Sequence, residues 1–563
     1  MVATCSLSLC IALAVRGITA SATSQPQVRL DAGTVSGGLC SDTGVQFYQG
    51  IPYAKPPIKK LRFMPPLPLE GKFPGGHLNA TTPPAACIQF DPSGTGAPPS
   101  EDCLYVDIYV PPKSTRQNKP WPVKVFSYGG SNVFGDLAYP MYNGCHLATD
   151  AILVTLNYRL GPLGFMALVD AGIKGNMGLK DHIAALEWVQ ANIGAFGGDK
   201  GKVLLFGQSA GADNSFVISA LPQARSLIAA AVLQSGGGQE MTSLKDAQRA
   251  AASYVGVMEC KTDDLDCLQS KPVEELIDAY TKTPAFKTNS PLSGIFHVTI
   301  PNTTNIQTAI LDGEFIKDEP LKTGAVVPII AGSTEDESSF FLVPYYEAIG
   351  VIGNLTETNY TDYVNLWGPY ANEILAKYPF SMFHTSEWTE SEAAVRGISH
   401  LATIVSFTCP TQKALEATRH NGVAAYSYRF GVTPSCPWIL VGSSEIPDAY
   451  SRHLSGATHT SDVPFVFANM DKQPWGRGTC SYSQNEKMIS SVMVAAWTGM
   501  ATRGHPSTCL QKWPVYDVCE RMGPHMGNGT PIKRLDFDDC EFWNPIWEKI
   551  GGYRMPAKTC VDP

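Results

Sequence analysis

A serine that is to attack a carbonyl group needs a sharp turn that lifts its hydroxyl clear of the backbone, a base to take its proton, and N–H donors for the oxyanion that forms. Gly207-Gln208-Ser209-Ala210-Gly211 follows directly on the apolar run Val203-Leu204-Leu205-Phe206. In such a strand-to-helix turn a side chain at either glycine would collide with the neighbouring strand or helix, so the serine needs small flanking residues. The helix that begins there favours negative charge beside the hydroxyl. Alone, the motif is also compatible with an ordinary Gly-Ser loop, and its companions decide.

The first companion is Tyr128-Gly129-Gly130-Ser131, after the β-branched run Val123-Lys124-Val125-Phe126. Backbone N–H groups in a glycine turn can approach a developing oxyanion without a Cβ in the way. A phosphate cradle is the competing reading, but Gly201-Lys202 does not stand in P-loop spacing. The other two members are expected downstream, acid before histidine. Glu337 lies in Ser333-Thr334-Glu335-Asp336-Glu337-Ser338, and His459 in Gly456-Ala457-Thr458-His459-Thr460. Singly, each would be read as a solvated loop residue. The chain order Ser209, Glu337, His459 changes that weighting.

The elements that must hold these residues are short apolar runs alternating with helical patterns. Runs at Val123–Phe126, Ala151–Leu156, Val203–Phe206, Val326–Ile330 and Ala424–Tyr428 read as strands. Leu179 to Phe196 carries Ile183, Leu186, Val189 and Ile193 at helical spacing and ends at Gly197-Gly198. This rhythm predicts an α/β fold with a mainly parallel sheet covered on both faces. Residues 345 to 420 read as a helical elaboration beside the sheet. No repeat or linker divides the chain, so residues 23–563 are read as one domain.

Composition limits what such a site could serve. In 563 residues, 44% hydrophobic and 17% charged side chains exclude disorder, and a net charge of −9 argues against a nucleic-acid partner. Residues 1–22 read as a secretory signal peptide, with an apolar stretch from Cys5 to Val15 and Ala20-Ser21-Ala22 as cleavage pattern. Beyond it no run of 18 apolar residues occurs, and the ending KTCVDP carries no anchor signal, so no transmembrane anchor is expected. Removing Cys5 and Cys10 from the 15 cysteines leaves 13, a number that suits an oxidising compartment and leaves at least one unpaired. Sequons at Asn79, Asn302, Asn354, Asn359 and Asn528 agree with that route. No feature sets an oligomeric state.

Further segments identify a resemblance: Gln46-Phe47-Tyr48-Gln49-Gly50-Ile51-Pro52-Tyr53-Ala54, Ser100-Glu101-Asp102-Cys103-Leu104-Tyr105, Asn157-Tyr158-Arg159-Leu160-Gly161, Gly175-Asn176-Met177-Gly178-Leu179-Lys180-Asp181 and Phe196-Gly197-Gly198-Asp199. With the serine motif, they make the chain resemble the type-B carboxylesterase/lipase family, α/β-hydrolases that include cholinesterases. The likeness runs from about residue 30 to beyond 500. It implies Ser209 as nucleophile, Glu337 as triad acid, His459 as general base, and the N–H groups of Gly130, Ser131 and Ala210 as oxyanion donors. The implied activity is a secreted serine esterase acting on small or medium neutral esters through an acyl-enzyme. Lipase action on longer acylglycerols is the neighbouring alternative, and a non-catalytic adhesion protein is the alternative of another class. No cofactor is implied, and no HExxH or paired CxxC offers a metal site.

The resemblance also implies disulfides Cys87–Cys103 and Cys260–Cys267, and buried ion pairs Arg62–Glu101 and Arg159–Asp181. Two positions depart from the family pattern. Gln208 stands where a glutamate is common, and Ser131 where a third oxyanion glycine is common. Only 15 residues lie between Cys87 and Cys103, with Phe90 their only aromatic. Cholinesterases carry a cation-binding tryptophan in this loop, so its absence argues against a choline ester. So short a segment, holding Gly94, Gly96, Pro98 and Pro99, offers little apolar face for an interfacial lid.

Overall fold

The computed structural model describes residues 25–91, 96–112, 119–283, 308–348, 350–441, 444–446, 449–474 and 478–556. The expected leader 1–22, the sequon asparagine Asn302 and Gly94 lie outside the described residues.

An 11-stranded sheet forms the centre. Its strands, in chain order, are β1 (Gly38–Leu39), β2 (Gln46–Pro52), β3 (Tyr105–Val110), β4 (Trp121–Ser127), β5 (Ile152–Leu156), β6 (Gly198–Gln208), β7 (Ala230–Gln234), β8 (Ile329–Thr334), β9 (Ala425–Phe430), β10 (Met522–Met526) and β11 (Ile532–Arg534). The spatial order is β11-β10-β9-β8-β7-β6-β4-β5-β3-β2-β1. From β10 to β5 every pairing is parallel. β11 at one edge and β3, β2 and β1 at the other pair antiparallel. The mainly parallel expectation therefore holds, with antiparallel strands added at the two ends. Every residue of β5 and of β7 is buried. Because successive side chains point to opposite faces, full burial means both faces are covered. Each such valine, leucine or isoleucine contributes roughly 1.5–3 kcal/mol.

Local chemistry explains where the elements stop. The run expected from Val326 begins its ladder only at Ile329, because Pro328 has no N–H to donate. The expected helix spans Met177–Asn192 (α1), tightens into a 3₁₀ turn at Ile193–Phe196 and ends at Gly197, whose φ of 84° only glycine adopts cheaply. The helical elaboration is present as α3 (Ser339–Ala348), α4 (Glu390–Thr403) and α5 (Cys409–His420), after α2 (Ala210–Ala220) and before α6 (Gln484–Arg503). A π-turn at Ile404–Thr408 joins α4 to α5, which packs on β8 and β9. No described helix is long and apolar enough to cross a membrane.

Covalent and ionic ties pin the loops around this frame. Cys87–Cys103 and Cys260–Cys267 are disulfides, with Cys40–Cys145, Cys409–Cys540 and Cys436–Cys480 besides. Cys519 is also disulfide-bonded, and Cys509 is free and exposed, the unpaired thiol that the odd number requires. Arg62 grips Glu101 through two bonds of 2.6 and 2.7 Å, and Arg159 grips Asp181 through two of 2.8 and 2.7 Å. Both forks are largely desolvated, so neither partner could be removed without leaving a buried charge.

Candidate active site

Ser209 sits between the end of β6 and the start of α2 with φ 57° and ψ −131°, a conformation that costs a non-glycine residue on the order of 1–3 kcal/mol. Its neighbours hold it there. A Cβ at Gly207 would strike the Gly211 carbonyl, and one at Gly211 would strike the Ser127 carbonyl at the end of β4. This is the collision that the spacing of the two glycines predicts. The Ser209 N–H donates to the Gln234 carbonyl at 2.8 Å, so the turn is tied to β7 as well.

The acid and the histidine arrive on adjacent loops beyond β8 and β9. Asp336 and Thr458 form a parallel bridge, the His459 N–H donates to the Glu337 carbonyl at 3.3 Å, and Ser339 Oγ reaches Thr458 Oγ1 at 2.6 Å. This short zipper brings Glu337 Oε2 to 2.5 Å from His459 Nδ1. The second Glu337 oxygen accepts the Thr334 N–H at 2.7 Å, so the carboxylate is fixed at both ends. Glu337 and His459 are 0% and 2% exposed, where attraction is little screened.

The glycine turn lies against the serine. A Cβ at Gly129 would stand 2.7 Å from Ser209 Cβ. Gly130 has φ 105°, and a Cβ there would meet the Phe134 carbonyl. Ser131 follows with φ 53°, a left-handed conformation that serine tolerates less well than glycine. The turn closes through Val133 and Phe134 N–H bonds to the Gly130 carbonyl, and Asn132 Oδ1 accepts from Asn214 at 2.8 Å and Tyr158 at 3.2 Å. The serine at 131 therefore leaves a closed, anchored turn. Among the described residues, no protein acceptor takes the N–H of Gly130 or Ser131, and Ala210 opens α2, where a helix has no acceptor for its first N–H groups.

The structure shows what surrounds the histidine: Gln208, one of the two departures from the family pattern, and groups that sequence reasoning did not single out. Gln208 Nε2 lies 3.1 Å from His459 Nε2, and no hydrogen bond joins Ser209 Oγ to the ring among the described residues. Asp213, one turn after Ser209 on α2, accepts the Gly237 N–H, and burial pushes its carboxyl up to about 7. Asp462, three residues after His459, accepts from Gln234 and Tyr428, and burial pushes it up to about 6. Helical or turn spacing from Ser209 and His459 was a signal for both. Phe340 and Phe341 of α3 and Phe407 of the π-turn stand 5.8, 5.2 and 4.9 Å from the imidazole centre. No spacing rule could have placed Phe407 there.

The Cys87–Cys103 loop is closed and tied down in its described part. Ala86 and Pro99 form a bridge, Asp136 accepts the Gly96 N–H at 2.6 Å, and Phe90 is buried against Tyr280. Of the sequon asparagines, Asn79, Asn354, Asn359 and Asn528 are exposed.

Comparison with known proteins identifies the family and the fold. The carboxylesterase family model matches residues 24–543. The chain is 32% identical to para-nitrobenzyl esterase of Bacillus subtilis (strain 168), over 84% of this chain and 90% of the relative. It is 29% identical to liver carboxylesterase of Sus scrofa over 95% of both chains, and 29% identical to cholinesterase of Mus musculus over 90% of this chain and 84% of that one. A solved structure of PNB esterase superposes with a TM-score of 0.70 at 28% identity, covering 93% of this chain and 100% of that one. A parallel-centred sheet that carries a serine elbow, matched over nearly the whole chain, leaves one assignment: the protein belongs to the carboxylesterase family and is an α/β-hydrolase that hydrolyses carboxylic esters.

Proposed function

We propose that the protein is a secreted serine esterase that cleaves small or medium neutral esters through an acyl-enzyme. The observation that carries the reading is the buried 2.5 Å contact between Glu337 and His459 beside a strained serine turn. Glu337 accepts the Nδ1 proton, so the neutral ring presents the Nε2 lone pair. His459 takes the proton of Ser209, whose oxygen bonds to the ester carbon, and the carbonyl oxygen becomes an anion facing the N–H groups of Gly130, Ser131 and Ala210. Collapse expels the alcohol, which receives the proton from His459. Water then enters by the same route and releases the acid and the free serine.

The leader 1–22, the disulfides and the four exposed sequon asparagines support secretion, with residues 23–563 as one hydrolase domain. The described part of the Cys87–Cys103 loop, held by the Ala86–Pro99 bridge and the Asp136–Gly96 bond, supports action on dissolved esters, since a flap that must slide onto lipid needs freedom to move. Its lack of a tryptophan disfavours a choline ester, although one relative is a cholinesterase.

Two measurements test the reading. Organophosphate treatment followed by peptide mass spectrometry should place the label on Ser209, and a label elsewhere or none would refute the acyl-enzyme assignment. A chain-length series of nitrophenyl esters, run below and above the solubility limit, should show rates that do not jump when droplets form. A sharp rise at that point would make lipase the better description.

A further inference from the structure

We propose that Gln208 is a positioning residue for the base: in the free enzyme its side-chain N–H, donated to the Nε2 lone pair of His459, orients the imidazole as the Nδ1–H tautomer, and it yields that lone pair to the Ser209 hydroxyl when the ester binds. The inference rests on the triad reading above.

The argument begins from Glu337. A carboxylate 2.5 Å from Nδ1 requires a proton there, so a neutral ring has a bare acceptor at Nε2. The polar neighbour at that nitrogen is the Gln208 amide, 3.1 Å away. An amide turned the other way would set an oxygen against a lone pair, so the amide nitrogen must face the ring. The amide oxygen then faces Gly129, where even a Cβ would stand only 3.0 Å from it. Gln208 is 1% exposed and ends β6, so its backbone cannot drift. Protonation of His459 would set two donors against each other, and the contact therefore favours the neutral ring.

The charged and titratable groups facing His459 are Glu337 from the loop after β8, Asp213 from α2 and Asp462 from its own loop; Phe340, Phe341 and Phe407 carry no charge. Burial keeps Asp213 and Asp462 protonated up to about 7 and about 6. Below about 6 both are uncharged, which leaves Glu337, in direct contact with Nδ1, as the remaining acid beside the ring. A carboxylate at position 208 would add a second and favour the imidazolium. The chain thus uses a neutral donor where a charge would make the base harder to deprotonate, which extends hydrolysis to lower pH.

The test is the acid limb of kcat/KM for a soluble nitrophenyl ester, measured on the full chain and on Gln208→Glu and Gln208→Met. Gln208→Glu should move the limb upward by about 1 to 3 pH units, the range for an opposite charge at this distance. Gln208→Met, which keeps the volume and removes the donor, should move it upward by less. Limbs that coincide in all three proteins, or a downward shift in Gln208→Met, would overturn the proposal while a Ser209 label would still stand. Loss of that label would overturn the triad reading instead. Should the variants fail to accumulate, ¹⁵N-histidine spectra of the unaltered enzyme decide, with the His459 signals identified by their absence in His459→Gln. A neutral ring with Nδ1 protonated and Nε2 accepting a hydrogen bond at pH 7 is expected, and an imidazolium there would overturn the assignment.

Discussion

Two glutamates, two residues apart in the loop after β8, each hold a histidine at almost the same distance. Glu337 meets His459 at 2.5 Å, and Glu335 meets His525 on β10 at 2.6 Å. The first pair is 0% and 2% exposed, and the second 44% and 23%. Glu337 has a further fixed donor in the Thr334 N–H, and its histidine lies beside the serine turn. Glu335 and His525 join the β8 loop to a strand near the sheet edge, in reach of water. Water screens the exposed pair to roughly 0–1 kcal/mol, whereas the buried one acts in a medium where orientation and charge are retained. A short carboxylate–imidazole contact therefore does not by itself set a pair apart; burial and a second anchor distinguish the Glu337 pair.

The largest effect should come from breaking the buried site. Ser209→Ala should fold and lose roughly four or more orders of magnitude in kcat. Glu337→Gln, which keeps the shape but disturbs the tautomer, should lose about 10⁴-fold. Steady-state rates within tenfold of the parent in either variant would remove that residue from the mechanism.

Next comes a buried pair with no nucleophile beside it, which separates burial from catalysis. Arg159→Leu would strand Asp181, which is 0% exposed, and should cost roughly 3–5 kcal/mol of stability. Denaturant unfolding should show that loss while the folded fraction keeps its kcat. A stable variant with an altered kcat would reverse the distinction.

A lone buried carboxyl sharpens it further. Asp107 on β3 accepts the Gly50 N–H at 2.8 Å and is approached by the Gln49 side chain, but among the described residues its Oδ2 has no hydrogen-bond partner, nor does Thr155 Oγ1 in register with it on β5. Burial pushes Asp107 up to about 8, so the folded chain keeps a proton that the unfolded chain releases near pH 4. Its contribution is complete below that point and lost as pH rises toward 8. Asp107→Asn should therefore lose less stability than the parent between mildly acidic and mildly basic pH, by on the order of 1 kcal/mol or more. Parallel melting-temperature curves for the two proteins across that window would contradict the shifted titration.

The smallest effect belongs to the exposed pair. Glu335→Gln should change kcat/KM by less than about twofold and stability by less than about 1 kcal/mol. A catalytic loss near that of Glu337→Gln would erase the comparison.

What the amino-acid order determined by itself was whatever acts over a few neighbouring residues. Gly207 and Gly211 are demanded by collisions within one turn, and the alternation of apolar runs with a helical period implies a covered parallel sheet, although that pattern put the start of β8 at Val326 and not at Ile329. The order Ser209, Glu337, His459 and the disulfides Cys87–Cys103 and Cys260–Cys267 were legible through the family likeness, whereas the partners of Cys40, Cys409 and Cys436 were not. Tertiary structure alone decided the antiparallel ends of the sheet, the closeness of Phe407 to the imidazole, and the Gln208 contact across 251 residues of chain. It also separated Glu337 from Glu335, which stand in the same polar hexapeptide. The physical reason is range. Steric rules and periodicity act within a turn or a strand and are written in spacing. Desolvation, tautomer and the direction of an amide depend on side chains that meet only when distant loops are packed together.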